Sequence, residues 1–148
     1  MTYSALSLLR HAFRGHRDWT PAWREPELKS AYDVVIVGAG FGGMYMLHRL
    51  RQKGFTARVI EAGSGVGGTW YWNRYPGIQC DIESYIYLPL LEETGYMPTE
   101  KYASATEIFE YCKLLGRTFD LYPHALFQTV ITGAEWDETT ERWLVTTS

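Results

Sequence analysis

The stretch that decides the fold of this chain reads Val34-Val35-Ile36-Val37-Gly38-Ala39-Gly40-Phe41-Gly42-Gly43. A run of β-branched residues that ends in a glycine turn is typical of a parallel strand buried on both of its faces. In such a turn Gly38 lets the chain reverse sharply, Gly40 leaves room for a pyrophosphate against the backbone, and Gly43 lets the next helix pack closely on the strand. The stretch therefore predicts the start of a βαβ unit that can bind a nucleotide.

The residues after this turn complete the βαβ pattern. A helical pattern from Met44 to Lys53 puts its leucines and methionines on one side, and Gly54 is the predicted stop. Ala57-Arg58-Val59-Ile60-Glu61 then reads as a second strand that ends in an acid. A carboxylate at Glu61 would accept hydrogen bonds from an adenosine ribose and would repel a 2′-phosphate, so the predicted dinucleotide is FAD or NAD rather than NADP. The alternative is an ordinary βαβ turn that binds no ligand.

Composition limits the function classes. The chain has 148 residues and a formal net charge of −3, which fits one domain with a real core and favours neither a nucleic acid nor an anionic membrane as a partner. Cys80 and Cys112 form no C-x-x-C pair and the histidines have no metal-ligand spacing, so we expect no metal site and no disulfide scaffold. No signal peptide or membrane span is recognised, and a reducing cytoplasm is the predicted location. The 6 Trp and 11 Tyr fit either a site for a planar cofactor or an aromatic-rich core.

The second half of the chain predicts three further elements. Ser104-Ala105-Thr106-Glu107 is a capping box that starts a helix, and Cys112 falls on its apolar face as a buried structural thiol. A strand is predicted over Phe127–Thr132. A β-hairpin is predicted from Ala134–Asp137 and Arg142–Thr147.

Residues 1–30 are predicted to form a separate N-terminal arm. Trp19–Pro26 contains two prolines and two tryptophans, which suggests an extended segment that docks on a surface or a partner, with a partly disordered leader as the alternative. Together with Tyr32–Gly38, the leader Ser7-Leu8-Leu9-Arg10-His11-Ala12-Phe13-Arg14-Gly15-His16-Arg17 resembles the N-terminus of the sarcosine oxidase β subunit. That family carries FAD on the same kind of βαβ unit.

From Gly38 onward the chain resembles a different family. The segment Gly65-Val66-Gly67-Gly68-Thr69-Trp70-Tyr71-Trp72-Asn73-Arg74-Tyr75-Pro76-Gly77, followed by Cys80-Asp81-Ile82-Glu83-Ser84, is similar to type I Baeyer–Villiger monooxygenases within the flavin-containing monooxygenases. The likeness extends over residues 38–148. The chain therefore reads as two flavoprotein families joined inside the first strand, with residues 31–148 as an FAD-binding domain.

The resemblance implies a Rossmann-like α/β fold with a parallel sheet and a small antiparallel β-hairpin unit. The glycine turn and the resemblance together predict cofactor contacts at Gly38, Gly40, Phe41, Gly42, Gly43, Glu61, Gly68, Thr69, Trp70, Tyr71, Trp72, Tyr87 and Ile131. Gln79, Cys80 and Asp81 match positions where the nicotinamide of NADPH approaches the flavin, although the family usually has Arg at the place of Gln79. Asp81 is thus the candidate catalytic residue, with a turn-capping acid as the alternative.

The chemistry implied by the resemblance is reduction of FAD by NADPH, followed by O₂ addition and oxygen transfer to a ketone or a soft heteroatom. The expected partners are therefore a small-molecule substrate and O₂. The family's second βαβ domain, which binds NADPH, and its catalytic Arg have no counterpart in this sequence, so we expect an incomplete, C-terminally truncated domain that is inactive alone. Two alternatives remain, namely the FAD-binding part of a sarcosine-type amine oxidase and a folded non-enzymatic fragment without flavin.

Overall fold

The computed structural model describes residues 31–148. The predicted arm of residues 1–30 and most of its resemblance to sarcosine oxidase lie outside these residues and stay predictions. In chain order the elements are strand β1 (Val34–Val37), helix α1 (Phe41–Gln52), strand β2 (Ala57–Ile60), the short helices α2 (Thr69–Trp72), α3 (Ser84–Tyr87) and α4 (Leu91–Thr94), helix α5 (Ala105–Thr118), a 3-10 turn (Tyr122–His124), and strands β3 (Ala125–Leu126), β4 (Ile131–Asp137) and β5 (Arg142–Thr147).

A parallel sheet organises the fold, with β2 between β1 and β3. All of β1 pairs in register with β2, and the last two residues of β2 pair with β3. Helix α1 packs against β1 and β2, and helix α5 packs against α1 and α2. The largest fully buried side chains of this Rossmann-like core include Leu47, Val59, Ile108, Tyr111 and Leu115. The predicted α/β class and the parallel sheet are thereby confirmed.

Strand β1 is less buried than its sequence predicts. Its first three residues are half-buried and Val37 is 74% exposed. Every residue of β2 is buried, Arg58 included. The prediction that β1 is buried on both faces is therefore wrong, and it is β2 whose residues are all buried. Within residues 31–148, β1 has a neighbouring strand on one side only, so its other side remains accessible.

Helix α1 begins earlier than predicted. It starts at Phe41 rather than Met44, so that Gly42 and Gly43 belong to its first turn. Met44 is buried but Met46 is 48% exposed, and the prediction that the methionines share one side is wrong. Residues two positions apart in a helix point about 200° apart, so the two side chains cannot face the same layer. Gly54 follows the helix with φ +84°, as expected for the residue that stops it.

Helix α5 confirms its predicted start in part. The N–H of Glu107 donates to the Ser104 hydroxyl oxygen at 3.3 Å, which caps the helix. The Glu107 carboxylate does not return this bond, because it accepts hydrogen bonds from Thr99 and from the Tyr96 hydroxyl. Burial, with Glu107 as the second cause, raises the pKa of Tyr96 to about 12. Cys112 is fully buried on the same helix, and burial raises the pKa of its thiol, as expected for a structural cysteine.

The strand predicted over Phe127–Thr132 is confirmed only at Ile131 and Thr132, which begin β4, and is wrong for residues 127–130. The chain pairs with β2 only through Ala125–Leu126, and it then leaves the sheet before β4 begins. The backbone N–H groups of Gln128 and Thr129 donate to loop residues that follow β2 instead of continuing the strand pairing. Gln128 also has φ +53°, in the left-handed region and far from the dihedral angles of a regular strand. An apolar run indicates an extended segment, but it does not determine which backbone groups that segment forms hydrogen bonds with.

The predicted β-hairpin is confirmed. Strands β4 and β5 pair antiparallel, and Trp136 lies directly opposite Trp143 with ring centroids 5.7 Å apart. The hairpin, the ends of the parallel strands and the segment that leads into β1 line a groove of about 990 Å³. The hairpin is thus a separate unit beside the parallel sheet, as the sequence indicates.

We expect opposite effects on stability from alanine at two adjacent glycines. A Cβ on Gly43 would lie 1.9 Å from the carbonyl oxygen of Gly38, so Gly43→Ala must displace backbone and should lower the free energy of unfolding by about 1–3 kcal/mol. A Cβ on Gly42 meets nothing within 4 Å, so Gly42→Ala should raise it by about 0.5–1 kcal/mol. Urea unfolding of both variants measures the difference. Equal stabilities would contradict the close packing of the turn on α1.

Candidate nucleotide-binding site

The turn between β1 and α1 uses its glycines in two different ways. Gly38 has φ +91°, and a side chain on Gly43 would collide with the backbone of Gly38, so the fold itself requires glycine at both positions. Gly40 has φ −75°, and a Cβ there would meet nothing closer than the Cα of Gly68 at 3.5 Å. The protein therefore leaves space at Gly40 that its own packing does not use.

The N-terminus of α1 faces this space with polar backbone groups. The first N–H groups of a helix have no carbonyl partner within the helix, and Gly40, as the capping residue, supplies no side chain to pair with them. These N–H groups and the helix dipole attract an anion. The arrangement suits a pyrophosphate that lies against the backbone of the turn.

Glu61 follows β2 and connects the glycine turn with the next loop. Its side chain is only 5% exposed. One carboxylate oxygen accepts a hydrogen bond of 2.7 Å from the N–H of Ala39, and the other accepts one of 2.6 Å from the N–H of Gly63. A carboxylate has about four lone-pair sites, so two of them stay available for other donors. The structure thus brings the predicted ribose acceptor directly to the predicted phosphate turn.

A second group of predicted residues forms an aromatic cluster beside the turn. The rings of Phe41 and Tyr87 meet edge to face at 5.5 Å, and the indole N–H of Trp70 donates to the Tyr87 hydroxyl oxygen at 2.9 Å. Gly68 joins this cluster to the turn, since a Cβ on Gly68 would lie 2.8 Å from the Cα of Gly40. The glycine turn and the aromatic residues therefore belong to one continuous site.

Two of the residues predicted near a nicotinamide lie close to this cluster. Burial raises the pKa of the Tyr87 hydroxyl, Trp70 opposes the shift, and the neighbouring Cys80 and Asp81 add to it. Cys80 is buried, whereas Asp81 is exposed. Within residues 31–148 the Asp81 carboxylate makes no hydrogen bond or ion pair, so no capped turn explains this acid. Its position is therefore open to a ligand.

Gln79 borders a neighbouring pocket. It is exposed, pairs with Ser104 in an isolated bridge, and lines a pocket of about 580 Å³ together with Trp70, Arg74 and Phe109. The Arg74 guanidinium lies 4.6 Å from the ring centroids of both Tyr71 and Phe109. Burial lowers the pKa of Arg74, and Tyr71 opposes this shift. The cation is thus held against two aromatic rings at the wall of the pocket.

The remaining predicted residues occupy different surroundings. Thr69 and Trp72 of α2 are exposed. Ile131 is half-buried at the start of β4 and lines the large groove beside the hairpin with Val37 and Leu126. Ile131 lies two residues after Thr129, whose N–H donates to the backbone oxygen of Glu61 at 3.0 Å. This contact puts the start of β4 near the ribose acceptor.

Sequence reasoning missed the structural role of one predicted residue. Tyr71 is 8% exposed, and its hydroxyl oxygen accepts a hydrogen bond from the N–H of Ser64 at 3.0 Å. The Ser64 hydroxyl lies 2.8 Å from the same oxygen. Spacing along the sequence gives no sign of this pair, because a loop of glycines brings the two residues together.

The structure contains no group of His, Cys, Asp or Glu residues that could bind a metal ion anywhere between Ala31 and Ser148. Over the same part of the chain, no helix is long and apolar enough to cross a membrane.

Comparison with known proteins identifies the relatives of the chain. A family model described as an NAD(P)-binding Rossmann-like domain matches residues 36–98. The chain is 53% identical over 129 residues to neopentalenolactone D synthase of Streptomyces avermitilis, and the match covers 86% of this chain and 22% of that protein. It is also 53% identical over 125 residues to a Baeyer–Villiger monooxygenase of Streptomyces coelicolor, and this match covers 84% of this chain and 21% of that protein. The chain is therefore similar in sequence to part of the Baeyer–Villiger monooxygenases.

The structure agrees with this relationship. It superposes on the crystal structure of OTEMO in complex with FAD and NADP with a TM-score of 0.76 and 38% sequence identity, over 79% of this chain and 22% of that chain. The predicted resemblance to Baeyer–Villiger monooxygenases is confirmed, and so is the Rossmann-like fold. The chain spans about a fifth of the length of the curated relatives it matches.

We predict that Glu61 stabilises the protein even without a ligand. Glu61→Gln keeps one acceptor oxygen but turns an amide NH₂ toward a backbone N–H, so it should lower the free energy of unfolding of the flavin-free protein by about 1–3 kcal/mol. Glu138→Gln, at an exposed position in the hairpin loop, is the matched control and should change it by less than about 0.5 kcal/mol. Urea unfolding measures both. Equal stability of the two variants would contradict the bridging role of the carboxylate.

Proposed function

We propose that residues 31–148 form the FAD-binding part of a flavin-dependent monooxygenase. The observation that carries this proposal is the 2.7 Å hydrogen bond from the N–H of Ala39 to the Glu61 carboxylate. It joins the predicted ribose acceptor to the predicted phosphate-binding turn, and ribose and pyrophosphate are adjacent in a dinucleotide. The homology to Baeyer–Villiger monooxygenases supports the same assignment.

The residues present fit FAD. The unfilled space at Gly40 admits the pyrophosphate, and the N-terminal N–H groups of α1 would bind its oxygens. The remaining lone pairs of Glu61 would accept hydrogen bonds from the adenosine ribose. Because Glu61 is an acid, the same position disfavours a 2′-phosphate, so we assign FAD rather than NADP to this site.

We assign the aromatic cluster to the flavin side of the site. Phe41, Trp70 and Tyr87 offer apolar faces next to Gly68, where the backbone comes closest to the turn. Asp81 is the candidate catalytic residue, since its exposed carboxylate has no hydrogen-bond partner between residues 31 and 148 and lies near Tyr87. In that role Asp81 would orient the carboxamide of NADPH, with Gln79 and Cys80 beside it.

In the whole protein we propose oxygenation of a small ketone or of a soft heteroatom. Bound FAD would supply the acceptor for the hydride of NADPH and the centre that reacts with O₂. The residues of this chain bind and orient these groups, and the turn keeps the pyrophosphate against the backbone. Because the chain spans about a fifth of its relatives, we assign hydride delivery and substrate recognition to the whole protein. Cys80 and Cys112 are both buried thiols without a disulfide, which fits a reducing cytoplasm.

The absorption spectrum of the purified chain tests the FAD proposal. We expect a bound flavin band, or uptake of added FAD by the colourless protein. In Gly40→Ala the new Cβ fits the protein, and stability should fall by at most about 1 kcal/mol through the weaker helix cap. The same Cβ would occupy the pyrophosphate space, so the Kd for FAD should rise at least about tenfold.

Gln52→Ala, at the exposed last residue of α1, is the control for this experiment, because it lies at the opposite end of the helix from the glycine turn. It should bind FAD like the parent. A folded parent that takes up no FAD would overturn the proposal and favour a non-enzymatic fragment. Formation of peroxide from an N-methyl amine without NADPH, by the flavin-loaded whole protein, would favour the sarcosine-type oxidase instead.

A further inference from the structure

We propose that Tyr71 is a positioning residue, which sets the selectivity of the site for the ribose of the nucleotide through the loop Glu61–Ser64. This inference rests on the proposed nucleotide site and deepens it. The resemblance to monooxygenases predicts a direct cofactor contact for Tyr71. The geometry points to a different role, because the Tyr71 hydroxyl bonds to both the backbone N–H and the hydroxyl of Ser64.

The loop after β2 is built around the Tyr71 ring. A Cβ on Gly63 would lie 2.8 Å from this ring. A Cβ on Gly67 would lie 2.9 Å from the Phe109 ring and 3.1 Å from the Cβ of Tyr71. On Gly65 it would make an ordinary contact with the ring at 3.8 Å. Glycine at position 63 therefore allows the loop to follow the ring closely, and a larger residue there would push the loop away from it.

The ring is itself fixed from the protein side. The Arg74 guanidinium lies 4.6 Å from its centroid, and the Arg74 Nε donates to the backbone oxygen of Tyr71 at 2.6 Å. Phe109 of α5 meets the ring edge to face at 6.1 Å. The Tyr71 ring is thus held in place, and the hydrogen bonds of its hydroxyl hold Ser64 beside it.

Ser64 contributes to holding the Glu61 carboxylate, beside the backbone hydrogen bonds from the Gln128 N–H to the Gly63 oxygen at 2.9 Å and from the Thr129 N–H to the Glu61 oxygen at 3.0 Å. Ser64 is next to Gly63, whose N–H donates to one carboxylate oxygen at 2.6 Å. If the Tyr71 hydroxyl is removed, Ser64 loses both hydrogen bonds and the loop loses its anchor to the ring. The remaining lone pairs of the Glu61 carboxylate would then be less well aligned with the ribose hydroxyls. The phosphate turn at Gly38–Gly43 would stay intact.

The two halves of the site therefore respond differently to the loss of this hydroxyl. A site built to bind a ribose hydroxyl discriminates against a ligand that lacks it. The flavin-free full chain can be titrated calorimetrically with ADP and with 2′-deoxy-ADP, which share the pyrophosphate and differ at the ribose. We expect the parent to prefer ADP by about tenfold.

In Tyr71→Phe this preference should fall to about twofold, because the hydroxyl is lost and the ring is kept. Ser64→Ala removes one of the two hydrogen bonds and should give an intermediate preference, which provides a second test if Tyr71→Phe folds poorly. The double variant should match Tyr71→Phe, since both changes act through one contact. Tyr45→Phe is the matched control at an exposed position of α1 and should keep the tenfold preference.

A merely structural role for Tyr71 would weaken both ligands equally and leave the preference unchanged, and that result overturns the inference. A direct contact of Tyr71 with the flavin would leave ADP binding unchanged and weaken only FAD, which also overturns it. A parent that binds neither ADP nor FAD would overturn the proposed nucleotide site itself. A parent that binds ADP and FAD but shows no preference for ADP over 2′-deoxy-ADP would overturn the inference alone.

Discussion

The Glu61 carboxylate is the interaction on which the candidate site depends. Its two oxygens accept hydrogen bonds from Ala39, in the turn after β1, and from Gly63, in the loop after β2. These two segments are distant in sequence, and the parallel pairing of β1 with β2 brings them to the same end of the sheet. A buried carboxylate is costly unless its oxygens are paired, so each backbone N–H contributes to keeping the acid there. The same acid is then ready to accept further bonds from a ligand.

Some glycines around this carboxylate are needed for the packing of the protein itself, and one is not. Gly43 and Gly68 are required by close backbone contacts within the protein. Gly40 is not, because a side chain there would meet only an ordinary contact. We propose that a ligand approaching the backbone accounts for glycine at position 40, at the N-terminus of a helix and beside a buried acid. This distinction makes Gly40 a better probe of cofactor binding than Glu61, whose replacement also disturbs the protein.

Homology and geometry answer different questions about this chain. The homology to Baeyer–Villiger monooxygenases gives the chemistry of the relatives, and the chain spans about a fifth of their length. The geometry gives the part that these residues can perform, which is to hold a nucleotide between a helix N-terminus and an acid and to offer an aromatic surface beside it. We propose that Asp81 connects the two, because its side chain is exposed near Tyr87 and makes no hydrogen bond or ion pair within residues 31–148.

The sequence by itself determined the βαβ unit, the cap of α5 by Ser104 and the hairpin. These features follow from local rules, since β-branched runs, glycine turns and capping residues act on their immediate neighbours. Only the tertiary structure decided that β1 lies at a sheet edge while β2 is fully buried, and that the chain leaves the sheet after Leu126. It also decided that Tyr71 holds Ser64, because that contact depends on how a loop of glycines folds around a ring and no periodic pattern records it.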